Sequence, residues 1–334
     1  MFRQTNHTCA FVLLVAALLT ALAGIANGQQ TPVAAMYSDD QKRDQALAPS
    51  FLIVDGPAAK GATQPLKVYL SVGDLERALD SSQYRPGGVI VPTNTDLVMA
   101  ATTPATQRVI VARVQKHPDV MRDLEDQIAA YRKKAPAASG PETGLLRIGI
   151  DMFHAQLPRA GTPPSGAAFP RHVCMIATNF AQGGAIDRRE LFTQDRVRKG
   201  IAACLSALDA AGVQTVIMPL MGAASSGTQS NDAMYEGQRL LKECRLLNSV
   251  AGMTLGFHDF ASSRRNIREI GVVQWDQEIG GMFSVLSGSK ATAAARKAYL
   301  TYAEQIKQAF RKGLAGEKTT AADIGGCNAT FNAQ

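Results

Sequence analysis

The chain has 334 residues, a formal net charge of +7 and only 19% charged residues, a length that suits one large domain or one domain with an appendage. The positive charge is dispersed, and its short clusters, Arg132-Lys133-Lys134 and Arg264-Arg265, fall at predicted helix ends, where they complement the helix dipole. A nucleic-acid footprint needs a denser basic stripe interleaved with aromatics, so no nucleic-acid partner is expected, and an anionic small ligand fits the charge better.

Residues 1–28 have the form of a secretory signal peptide. Arg3 gives the positive start, residues 11–25 are uncharged and mostly apolar, and Ala26-Asn27-Gly28 offers small residues for cleavage. A membrane span needs about 20 apolar residues, so this run is short for one, and an uncleaved anchor is the competing reading. Cys9 precedes the apolar run, which argues against a lipoprotein. No later stretch is long and apolar enough to span a bilayer. The expected location is therefore secreted or periplasmic, with no membrane association after cleavage.

Residues 29–50 are polar and read as a flexible N-terminal segment. Residues 51–54, 68–72 and 89–91 are strand candidates. Thr103-Pro104 opens a helix with proline at its first position. A second helix spans 118–134, with Val120, Leu124, Ile128 and Tyr131 at helical spacing. Residues 135–144, rich in Ala, Pro and Gly, form a connection. A strand at 145–150, a Pro/Gly-rich loop at 154–170 and a strand at 173–177 follow. The next helix, 195–211, is stopped by Gly212, and 213–218 is a strand. Ser230 caps a further helix, with Leu240, Leu241, Cys244 and Leu247 on its buried face. Residues 253–257 read as the last strand. After Trp275 the pattern becomes helical, and 289–314 carries Tyr299, Tyr302, Ile306 and Phe310 along one stripe.

Strands alternating with helices predict βαβ crossovers and a largely parallel sheet covered on both faces. The expected division is a main domain over 51–275 and a C-terminal helical extension and tail over 276–334. Four cysteines remain after cleavage, Cys174, Cys204, Cys244 and Cys327, enough for two bridges in three pairings. Cys174 sits inside an apolar strand and Cys204 on the apolar face of a helix, so both read as buried free thiols. No Cys-x-x-Cys or close Cys/His pairing suggests a metal, and no cofactor is implied.

Four segments carry candidate chemistry, each an apolar run that ends in a small or polar loop. In parallel sheets this pattern brings ligand groups to the carboxyl ends of strands. Gly73-Asp74-Leu75 follows the strand 68–72, and its carboxylate can accept a bond from an exocyclic amine or simply cap a helix. Asn94 ends the next strand, where its amide can bond a ribose hydroxyl or close an Asx turn. Gly222-Ala223-Ala224-Ser225-Ser226-Gly227 follows the strand 213–218, and such a loop presents backbone N–H groups to phosphate. Phe257-His258-Asp259-Phe260 closes the strand 253–257, where His258 or Phe260 could stack on a base.

In order and content these pieces resemble the macro domain family, whose members bind ADP-ribose. The likeness covers roughly residues 64–270, and it implies an α/β fold: a three-layer α/β/α sandwich with a macro-like mixed sheet, here with a C-terminal helical extension. It implies adenine recognition by Asp74 and Leu75 in a Gly-Asp-Ile-type turn, and a ribose or catalytic-water contact at Asn94. The 222–227 loop would hold the diphosphate, and an aromatic near 258–260 would meet the base. The family pattern Val-Asn-Pro-Ala-Asn-Ser-Asp-Leu is matched by Val91-Pro92-Thr93-Asn94-Thr95-Asp96-Leu97, with Val91 in place of the first Asn. Two departures bear on catalysis. Met99-Ala100-Ala101-Thr102-Thr103-Pro104 lacks the family's glycines, and Ala224 replaces the middle glycine of the phosphate loop. Cβ atoms there limit close backbone approach to the distal ribose. The expectation is an exported domain that binds ADP-ribose or a related nucleotide diphosphate, and by extension an ADP-ribosylated protein, with weak or no hydrolysis. The alternatives are an ADP-ribosyl hydrolase using Asn94 and a non-catalytic interaction domain that has lost its ligand. A peptidase on a related scaffold lacks the necessary cluster of Asp, Glu and His.

Overall fold

The computed structural model describes residues 52–55, 65–72, 75, 79, 87–99, 105–134, 144–164, 169–179, 193–221, 236–274, 307–320 and 323. The leader, the segment 29–50, Gly73, Asp74, the 222–227 loop, Trp275, Cys327 and the Cys244 side chain lie outside the described residues. Seven strands form one sheet: β1 (Leu52–Asp55), β2 (Lys67–Val72), β3 (Gly88–Asn94), β4 (Met152–Gln156), β5 (His172–Asn179), β6 (Thr215–Pro219) and β7 (Glu269–Gln274). Their order is β1-β2-β7-β6-β3-β5-β4. The five inner strands run parallel, and the edge strands β1 and β4 pair antiparallel.

Alternation along the inner strands feeds two cores. Val89, Val91, Val173, Met175 and Ile217 face one side, under α1 (Ala105–Val114) and α2 (Pro118–Lys134). Ile90, Cys174, Ile176, Val216, Met218, Ile270 and Val272 face the other, under α3 (Gln194–Ala210) and α4 (Glu236–Ala261). Because both faces are covered, these strands are apolar almost throughout. The arrangement is a three-layer α/β/α sandwich with a mixed sheet, as the sequence predicts.

Helix ends follow local chemistry. Thr193 caps α3, its hydroxyl accepting from the Arg196 N–H at 3.3 Å. Gly212, at φ +77°, turns the chain just beyond the last turn of α3. Helix α2 matches its predicted bounds and buries Val120, Leu124 and Ile128. It also seals an edge: the Gln127 amide donates to the Gln156 carbonyl at 2.8 Å and accepts from the Gln156 N–H at 3.2 Å. The open side of β4 is thereby blocked at that residue. Helical residues 307–314 pack on α4, with Ala309, Phe310 and Leu314 joining the α3/α4 core.

Three expectations are corrected. Residues 253–257 are helical, the C-terminal part of α4, and not a strand. Met253 and Phe257 are buried, Gly252 and Gly256 meet α3 backbone or side chains, and Thr254 faces Gly313 on the opposite side. A helix enclosed from both sides loses its amphipathic period and reads as a buried strand. The last strand is instead β7. Residues 145–150 form bends and turns, and the strand lies at Met152–Gln156, running into the start of the expected loop at 154–170. As an edge strand half-covered by helices it shows no long apolar run. Finally, Cys174 and Cys204 are buried as expected but are joined in a disulfide, with Cα atoms 5.8 Å apart.

At the end of the sheet where the parallel strands begin, His154 of β4 and His172 of β5 lie Nε2 to Nδ1 at 3.2 Å, with ring planes 22° apart. One imidazole must donate and the other accept, so at least one is neutral. Burial pushes both rings below the ordinary histidine pKa; in His172, with His154 and Arg171 adding to the effect, it falls to about 4. An unfolded histidine takes its proton near pH ~6.5. The folded state therefore binds fewer protons as pH drops through that value. Stability from the pair is full above it and is lost on acidification toward pH ~4. We expect the urea midpoint to fall between pH 7 and 4.5, and to fall less in His172→Gln. An identical fall in the variant would remove this pair from the acid response.

Candidate functional site

The carboxyl ends of the parallel strands define one rim. Val72 of β2 is level with Gln274 of β7, and Val273 with Pro219 of β6. Asn94 of β3 pairs with Asn179 of β5 at the same rim, after a register shift between Thr93 and Asn94. The strands that precede Asp74, Asn94 and the 222–227 loop thus all end on one side of the sheet. The residues expected to line a cleft there, Gly73, Asp74, Gly222, Ala223, Ala224, Ser225, Ser226 and Gly227, lie outside the described residues. Leu75 is described and is buried among the α1/α2 core residues at 1% exposure, so its side chain serves packing.

Asn94 is the best-defined element of the rim. It is 2% exposed. Its Oδ1 accepts from the backbone N–H of Asp96 at 3.1 Å and of Val98 at 2.9 Å, and its Nδ2 donates to the Val98 carbonyl at 2.9 Å. The amide therefore closes an Asx-type turn on its own chain. That turn carries Leu97 at φ +54°, a left-handed conformation that costs a leucine energy and needs surrounding support. Burial of Leu97 at 1% exposure supplies part of it. As placed, Asn94 has one N–H left to offer, so the expected ribose or water contact at Asn94 is reduced to that single donor.

A second layer braces the turn. The Thr95 carbonyl accepts from the N–H groups of Leu145 and Leu146, both at 2.9 Å, and Arg132 of α2 donates to the Asp96 carbonyl at 2.9 Å. Gly144, at φ +150°, lies so close that a Cβ there would stand 2.6 Å from Thr95 Cβ. The 144–151 loop is fixed in turn by Gly149 N–H to Ala177 O at 2.8 Å and by Arg196 to the Ile148 carbonyl at 3.1 Å. Arg147 grips Asp151 through two side-chain bonds and its own N–H. Burial would raise the Asp151 carboxyl, but this grip outweighs it and holds the pKa below the ordinary carboxylate value.

His258 and Phe260 do not belong to the rim. They lie near the end of α4, which returns the chain to the opposite edge, where β6 and β7 begin. His258 Nδ1 is 3.1 Å from the Leu314 carbonyl, which only accepts, so that nitrogen carries the proton and ties down the 307–314 helix. Phe260 is 3% exposed and borders a small cavity of about 220 Å³ with Ser206, Asp209 and Arg265. Their assignment to base stacking rested on the mistaken strand. The strand between β2 and β6 is β7, and the residue that follows it is Trp275, the chain's sole tryptophan. The run Ile270-Gly271-Val272-Val273 beside that tryptophan was the signal available in the sequence. Arg132 and the 144–146 brace had no sequence signal, because each bonds a backbone carbonyl, of Asp96 and of Thr95 respectively. Among the described residues, no group of three or more His, Cys, Asp or Glu side chains could hold a metal ion.

No protein-family model matches the sequence, and no curated protein matches it. Solved structures similar in fold include the Oceanobacillus iheyensis macrodomain with ADP, at 8% identity and a TM-score of 0.40, over 71% of this chain and 95% of that one. The macrodomain of Thermus aquaticus DarG is similar at 12% identity and a TM-score of 0.36, over 62% and 97%. A tomato leucine aminopeptidase variant is similar at 9% identity and a TM-score of 0.32, over 76% of this chain but 37% of that one. These likenesses are distant, and the architecture given above stands on the strand order and register alone.

If the Asn94 amide holds the turn, Asn94→Ala should destabilise the fold by about 1–3 kcal/mol, since it removes three part-buried hydrogen bonds, to the N–H groups of Asp96 and Val98 and the Val98 carbonyl. Asn94→Asp keeps the acceptors and should cost less. Urea unfolding of the three proteins without ligand checks this, and equal stabilities would mean that the amide is not structural.

Proposed function

We propose that this is an exported domain that binds ADP-ribose or a related nucleotide diphosphate at the rim formed by β2, β7, β6 and β3, and that it binds better than it catalyses. The observation that carries the reading is the convergence of three motif-bearing strands on one rim in the order β2-β7-β6-β3. Asp74, two residues beyond β2, accepts a bond from adenine N6. Trp275, the next residue in sequence after β7, whose last residue Gln274 pairs with Val72 of β2, offers the aromatic face for the base. The small-residue loop 222–227 beyond β6 gives backbone N–H groups to the diphosphate. An ADP-ribosylated protein presents the same group and is the corresponding macromolecular partner.

Weak catalysis follows from the Asn94 turn. Orienting a water is a transition-state contribution, whereas base and diphosphate contacts mainly give ground-state affinity. The Asn94 side chain spends its acceptor and one of its donors on its own loop, and residues 99–104 contain no glycine. Export is supported by the leader-like residues 1–28 and by the fully buried Cys174–Cys204 bond, since structural disulfides belong to oxidising compartments. Among the described residues, no helix is long and apolar enough to cross a membrane.

Calorimetric titration with ADP-ribose tests binding, and quenching of the single tryptophan should saturate at the same midpoint. Asp74→Ala should weaken ADP-ribose by about 1–3 kcal/mol, the usual cost of a lost bond to a charged group, and weaken ribose 5-phosphate less. Equal losses would move Asp74 away from the base. Release of ADP-ribose from a modified protein should be slower than about 1 per second, at the low edge of enzyme rates. Faster turnover that disappears in Asn94→Ala would overturn the binding-over-catalysis reading.

A further inference from the structure

The Cys174–Cys204 disulfide joins the middle of β5 to the sheet-facing side of α3, and neither residue is exposed. It closes a segment with a sequence separation of 30. That segment supplies three of the contacts that fix the 144–151 loop. Ala177 anchors the Gly149 N–H, and Arg196 anchors the Ile148 carbonyl. Gly200 packs so closely on the Gly149 carbonyl that a Cβ there would stand 2.5 Å from its oxygen. The 144–151 loop held by these contacts in turn holds the Thr95 carbonyl and the Asn94 turn. Cross-linking the base of such a segment removes conformations that the open chain would otherwise sample.

We propose that the Cys174–Cys204 bond is a maturation switch for the candidate site: the rim that carries Asn94 becomes ordered when the bond forms outside the reducing cytoplasm. The inference rests on the reading of that rim as a ligand site in an exported protein. The oxidant is a disulfide-bearing thiol oxidoreductase. One cysteine thiolate attacks its disulfide, giving a mixed disulfide. The second cysteine then displaces the oxidant as a dithiol, so that two electrons and two protons pass to it. Once folded, the sulfurs are shut away from solvent, and a reductant must wait for the core to open. The switch is therefore set once, during folding, and holds afterwards.

The test compares the oxidised mature protein with the Cys174→Ala/Cys204→Ala variant, and with wild type refolded in dithiothreitol. Hydrogen exchange is read without nucleotide at the amides of Leu145, Leu146 and Gly149, and at Val89 and Ile217 in the central strands. Loss of the bond should speed exchange at the first three by about tenfold or more beyond any change at the last two, as expected for local rather than global opening. ADP-ribose affinity should fall in parallel. Equal exchange in all three proteins, or equal loss of protection at the rim and in β3 and β6, overturns the switch. If the exchange difference appears but the oxidised protein binds no nucleotide, the ligand reading fails and the coupling of the bond to the rim stands.

Discussion

A parallel sheet covered on both faces leaves the chain only its strand ends at which to meet a ligand. That constraint organises this protein. β2, β7, β6, β3 and β5 have apolar middles because helices cover both faces, and their polar residues gather toward the strand ends. Parallel pairing sends the carboxyl ends of these five strands to one rim. Asp74, Trp275, the 222–227 loop and Asn94 follow or end four neighbouring strands. Strand direction and order bring those four strand ends to one rim.

Much of this was legible in the sequence, and the failures have a common cause. Elements with one exposed face were read well: α2 shows Val120, Leu124 and Ile128 at helical spacing because its other side meets water. Four of the five inner strands, β2, β3, β5 and β6, were legible as short apolar runs. The end of α4 was not, because α3 and the 307–314 helix enclose it, and full burial erases the period that tells helix from strand. Reading 253–257 as the last strand displaced β7 and carried the stacking residue to His258 and Phe260, on the wrong edge. The edge strand β4 failed for the opposite reason, its His154 and Gln156 breaking the apolar run. The disulfide was invisible because two apolar-face cysteines look alike whether free or bonded, until the fold sets them on facing surfaces.

Asn94 shows how a motif can hold its place while its side chain takes another role. Residue type and strand-end position match a ribose-binding amide, but the same amide can close a turn, and here it does. The support around it is layered: Asn94 holds Val98, Leu145 and Leu146 hold Thr95, and Arg132 holds Asp96. A turn secured in this way keeps its shape without ligand, which favours affinity through pre-organisation. It also leaves little freedom for the amide to reorganise around a reacting group. On the proposed function, a rigid rim and weak chemistry are two consequences of this one hydrogen-bond pattern.

The central claim is that a nucleotide lies along the carboxyl ends of β2, β7, β6 and β3. Backbone amide shift mapping of the oxidised mature protein on addition of ADP-ribose tests it most directly. The account predicts the largest shifts at residues 73–75, 222–227 and 275, with smaller ones at 94–98 and none at 258–260. Shifts concentrated around 258–267, at the opposite edge of the sheet, or no shifts at saturating ligand, would contradict it.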